Sequence, residues 1–144
     1  MRIGIMLRHY DQHGGGVKVY THNLLREFAS IETEHEFVFI YRNSARVGTY
    51  SNGNRVRELA IEIPRLFPGD RLIRKRLDDF LWDQFAMPTV EKRERLDIIF
   101  NPKYSLPLRA KCRTVFVDGS YRLIPPWKVT IQINPLPSSN MDTI

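Results

Sequence analysis

The chain reads as an α/β domain, a mainly parallel sheet covered by helices on both faces to give three layers. Three observations predict this. Short apolar runs alternate with stretches in which apolar residues recur at intervals of three and four. The run Phe37–Tyr41 is continuous rather than alternating, the pattern of a strand covered on both faces. The first run passes directly into a glycine-rich turn and then into a helix, the strand-then-helix order from which layered domains are built.

Arg2–Leu7 is the first strand, apolar at Ile3, Ile5, Met6 and Leu7. Val17, Tyr20, Leu24, Leu25 and Phe28 then form one helical stripe that ends near Ser30. Phe37–Tyr41 is the second strand. The polar stretch Ser44–Arg55, with Gly48 and Gly53, is a loop. A third strand is expected over the second half of Val56–Ile63, closed by Pro64. Pro68-Gly69-Asp70 starts a helix, with Asp70 as its cap. Leu72, Ile73, Leu77, Phe80, Leu81 and Phe85 keep helical spacing until Pro88, which is expected to break or kink the helix before a shorter one runs to Arg95. Asp97–Phe100 and Thr114–Val117 are the fourth and fifth strands. From Tyr121 to Ile144 there are four prolines and no helical period, and Val129–Ile133 reads as a lone strand. The domain is therefore placed at 1–120 and an irregular tail at 121–144.

At 144 residues, with 42% apolar and 26% charged residues, the composition is that of an ordinary globular domain. No run approaches the roughly 18 apolar residues of a membrane span, and no secretory signal opens the chain. The expected location is cytoplasmic, with a peripheral membrane association as an extension of it. Cys112 stands alone, so an intramolecular disulfide is excluded and a packing role is expected. The formal charge is +6. Arg71, Arg74, Lys75 and Arg76, with Lys92, Arg93 and Arg95, form basic clusters that read either as a solvated helix face or as an attraction for phosphates of lipid or nucleotide. Aromatic residues do not interleave with them and no reader motif is present, so no nucleic-acid partner is expected.

The turn His13-Gly14-Gly15-Gly16 carries the clearest chemistry. Opening a helix after a strand, it aims backbone N–H groups and the positive end of a helix dipole at one point, where phosphates bind. The alternative is that the glycines only let the chain turn. Neither G-x-G-x-x-G nor G-x-x-x-x-G-K-[ST] occurs. His9, His13 and His22 lack i,i+4 spacing, so no metal and no cofactor are assigned. Asp78, Asp79 and Asp83 lie on a helix with a well-defined apolar face, which gives them a solvated or capping role. Right-handed crossovers bring the glycine turn, the Asn101–Leu108 loop and the Asp118–Ser120 loop to the carboxyl edge of the sheet.

Met1–Leu7 with His13–Gly16, then Leu81-Trp-Asp-Gln-Phe-Ala-Met-Pro88, Leu96-Asp-Ile-Ile-Phe-Asn-Pro102, Ser105-Leu-Pro107 and Arg113-Thr-Val-Phe-Val117, resemble in order and approximate spacing the amino-terminal domain of family 4 glycosyltransferases. The resemblance covers about residues 1–120. It implies one Rossmann-like half of a GT-B fold, in a retaining transferase that moves a sugar from a nucleotide-sugar to a glycan or lipid-linked acceptor. It implies that Gly14, Gly15 and Gly16 approach the donor diphosphate. It also implies that Asn101, Lys103, Tyr104, Asp118, Gly119 and Ser120 line the acceptor side. The family carries a histidine just after the fifth strand, where this chain has Asp118-Gly119-Ser120, so no catalytic residue is assigned. The family's carboxyl-terminal, donor-gripping domain is not part of this sequence. The expectation is a domain without turnover of its own, with a tail that looks truncated or diverged. The alternatives are a non-catalytic module binding anions or a membrane surface, and a half that pairs with a separate donor-domain partner.

Overall fold

The computed structural model describes residues 1–8, 10, 16–50, 55–63, 71–103, 105, 107–117 and 131–133. Its elements are β1 (Arg2–Met6), α1 (Gly16–Ser30), β2 (Glu36–Tyr41), β3 (Val56–Ala60), α2 (Arg71–Leu81), α3 (Met87–Glu94), β4 (Ile98–Asn101), β5 (Arg113–Val117) and β6 (Ile131–Ile133). The sheet order is β3-β2-β1-β4-β5-β6. The first five strands are parallel, and β6 pairs antiparallel with β5. The α/β architecture read from the sequence is the one observed.

Strand alternation divides the core between the two faces. Phe37, Phe39 and Tyr41 of β2 join Ile5, Leu7 and Leu25 on the α1 side. Val38 and Ile40 join Met6, Trp82, Met87, Val90 and Ile99 on the α3 side. Phe28 stacks on Phe37 with ring centroids 4.9 Å apart, which seats α1 on the sheet. Gly4 sits in central strand β1 because Leu96 crosses it closely. A Cβ there would lie 2.5 Å from Leu96 Cδ1.

Three details differ from the sequence reading. The third strand occupies the first half of Val56–Ile63, because its pairing starts opposite Phe37 and ends opposite Tyr41. Beyond it, the Ile61 carbonyl accepts the Trp82 indole N–H at 3.0 Å. The strand near residue 130 is not alone but extends the sheet. Pro88 does not break the helix. A π-helical turn, Trp82–Ala86, joins α2 to α3, with the Met87 N–H donating to the Trp82 carbonyl five residues back. Pro88 then lies in the first turn of α3, where its missing N–H is tolerated.

The largest departure concerns α2. Its apolar residues face outward: Leu72 is 73% exposed, Ile73 64%, Leu77 41%, Phe80 56%, and Phe85 in the π turn 50%. The aspartates turn inward instead. α3 runs back to the amino edge, where the Asp97 N–H meets the Arg2 carbonyl at 2.9 Å. α2 precedes it, so α2 lies at the carboxyl edge. There its acidic side meets arginines that leave β1 and β2.

Candidate functional site

In this strand order the chain leaves β1 toward β2 and β3 on one side, and β4 and β5 build the other side. The crossovers diverge between β1 and β4, and open sheets take ligands outside the carboxyl ends at such a point. β1 exits through Leu7 and Arg8, β4 exits through Asn101, and α1 begins at Gly16. The first helix after β1 returns antiparallel to it, so its amino end faces the same rim.

Asn101 shapes this rim. It is 2% exposed. Its amide N–H donates to the Ser105 carbonyl and to Ser105 Oγ, the latter at 2.9 Å, while its Oδ1 accepts the Lys103 N–H at 3.0 Å. One side chain thereby folds the loop and carries Lys103 and Ser105 toward Arg8. Arg8 Nη2 donates to Ser105 Oγ at 3.3 Å.

Arg8 is the hub. Only 6% exposed, it pairs with Asp79 and Asp83, each at 3.2 Å. Arg42 pairs with Asp79 at 2.6 Å and with Asp78 at 3.5 Å. Burial lowers the Arg8 pKa, opposed by Asp83 and Asp79. Burial pushes the Asp83 carboxyl up to about 6, and Arg8 offsets only part of that effect. The solvated or capping role expected for these aspartates is therefore corrected. They hold α2 to the rim, because two buried or half-buried guanidinium groups require partners.

Lys103 is half-buried, and its pKa is lowered first by burial and then by the nearby charges of Arg8 and Lys75. Asp79, which also pairs with Arg8, offsets part of that effect. Gly16 leaves open space, since a Cβ there would meet nothing within 4 Å. Of the other expected site residues, Gly14, Gly15, Tyr104, Asp118, Gly119 and Ser120 lie outside the described residues, as do His9, His13, Asp70 and most of the 121–144 tail. His22 is engaged elsewhere on α1. Its Nδ1 lies 2.6 Å from the Tyr50 hydroxyl and 3.2 Å from that of Tyr10, which ties the loop before β3 to the helix.

Among the described residues no group of three or more His, Cys, Asp or Glu side chains could hold a metal ion. Among them, too, no helix is long and apolar enough to cross a membrane. Cys112 packs against the α3-side cluster, and burial followed by the Glu91 carboxylate raises its thiol to about 12. A concavity of about 370 Å³ lined by Phe28, Ile31, Arg55 and Val56 lies at the opposite edge, where β3 starts, away from the charged rim.

Arg8 and Arg42 were not singled out in the sequence. Their signal was nonetheless present, since two apolar strands each exit through an arginine, Leu7-Arg8 and Tyr41-Arg42. Nothing in the sequence pairs them with aspartates 36 to 75 positions away. Scans against models of known families and searches of curated proteins and of solved structures returned no match.

Proposed function

We propose that this chain is the acceptor-side, Rossmann-like domain of a nucleotide-sugar-dependent glycosyltransferase. The observation that carries the reading is the meeting at one rim of the α1 start, Arg8 and the Asn101–Ser105 loop with Lys103. The ordered motifs from Met1 to Val117 agree with it.

In this reading the donor diphosphate sits at the start of α1. Glycines there let the phosphates approach the backbone, and N–H dipoles offset the charge that grows on the departing diphosphate. Lys103 supplies a cation at the same rim. The acceptor, a glycan or lipid-linked hydroxyl compound, lies along the β4 loop. The donor's nucleoside is gripped by a second domain facing this one, in the same polypeptide or a separate one. No bound metal or cofactor enters the reading.

Calorimetric titration with UDP and with pyrophosphate tests it. Saturable binding is expected, with a Kd on the order of 1 mM or tighter for so small a ligand. Lys103→Gln and Gly15→Asp each weaken it by about tenfold, the effect of losing one charge-assisted contact or adding a like charge. No saturable heat with either ligand, or equal affinity in both variants, overturns the reading.

A further inference from the structure

Helix α2 segregates its side chains in a way the sheet does not need. Asp78 and Asp79, with Asp83 one turn on, are drawn inward onto Arg8 and Arg42. The opposite side presents Leu72, Ile73, Leu77, Phe80 and Phe85 to solvent. Arg76 lies among these apolar residues and Arg74 flanks them, whereas Lys75, three and four residues before Asp78 and Asp79, is on the rim side. The patch continues onto the loop before β5. The Arg109 guanidinium lies over the Phe85 ring, 4.8 Å from its centroid, and Leu108 is 75% exposed. The helix's acidic charges are thus spent internally, while its outward face is apolar and cationic.

A cluster of exposed large aromatic and aliphatic side chains marks an interaction surface. Its charge selects the occupant. The partner must offer an apolar interior beneath a layer of negative charge, and must accept a convex helix rather than require a groove. A bilayer rich in anionic phospholipid has that profile, and basic helices with Phe and Leu on one side lie in its headgroup region.

We propose that the outward face of α2 and its π turn docks on an anionic phospholipid surface, which sets the carboxyl rim of the sheet beside the headgroups. The proposal stands independently of the sugar-transfer reading. Phe80 and Phe85 enter the acyl boundary while Arg74, Arg76 and Arg109 contact headgroup phosphates.

The test is co-sedimentation of the full chain with vesicles of phosphatidylcholine alone or mixed with phosphatidylglycerol, at low and high salt. Binding is expected only to the mixed vesicles and weakens in high salt. Arg74→Gln/Arg76→Gln lowers the partition coefficient by on the order of tenfold or more. Phe80→Ser lowers it at least tenfold, with only a small drop in the thermal transition, since more than half of this residue is exposed in the free protein. Equal binding to both vesicle types, or none to either, overturns the proposal. So does a concentration-dependent dimer abolished by Phe80→Ser without lipid binding, because a second copy would then cover the face.

Discussion

Replacing Asp83 by Asn probes the buried charge cluster that holds α2 to the rim. Asp83 is 6% exposed, and burial raises its carboxyl from 3.8 to about 6. A carboxyl raised in the folded state contributes stability that is complete below its unfolded value and is lost as pH rises through the folded one. Lowering the pH from 7 to 5 should therefore stabilise the wild type through this group by about 1 kcal/mol, from a folded value of about 6 and the ordinary 3.8. The asparagine variant lacks this gain. At pH 7, where the carboxyl is mostly ionised, the variant also removes the charge that pairs with Arg8 3.2 Å away. Urea unfolding of both proteins at pH 5 and 7 gives the difference of differences, in which the other titrating groups cancel. An equal pH response in the two proteins would show Asp83 already ionised at pH 5 and refute the argument that burial outweighs Arg8.

Three further outcomes follow from the packing. Glu91 is 6% exposed and accepts the Lys111 and Cys112 N–H groups, so Glu91→Ala should cost about 2–3 kcal/mol in denaturant unfolding, and Glu91→Gln visibly less. Gly4→Ala forces the buried Leu96 side chain to move and should cost about 1–2 kcal/mol, whereas Gly16→Ala, with open space, should stay within about 1 kcal/mol. Cys112, its thiol raised to about 12 and half-buried, should react with an aromatic disulfide reagent at pH 8 far more slowly in the native than in the urea-unfolded chain. Equal rates would contradict its role as a packing residue.

The layered architecture was legible because strands covered on both faces must be continuous apolar runs, and Phe37–Tyr41 can be little else. The edges were less so. Where β3 starts is decided by its partner β2, not by its own alternation, and β6 is defined only by the free edge of β5. The orientation of α2 was the real failure of pattern. An apolar stripe such as Ile73-Leu77-Phe80 normally marks the buried side, and here it marks the solvent side. The deciding force is the demand of Arg8 and Arg42 for countercharges, a long-range pairing to which helical periodicity is blind. Asn101 was noticed as a site residue, but its work in folding the β4 loop depends on Ser105 and Lys103 turning back to it, which spacing does not reveal.

The most direct test of the proposed ligand rim is residue-by-residue mapping of pyrophosphate binding by amide NMR shifts on the whole chain. Saturable shifts of the Gly14, Gly15, Gly16 and Lys103 amides, with α2 unmoved, are the predicted result. Shifts confined to Arg74–Arg76, or none near the β1–α1 turn, would contradict it.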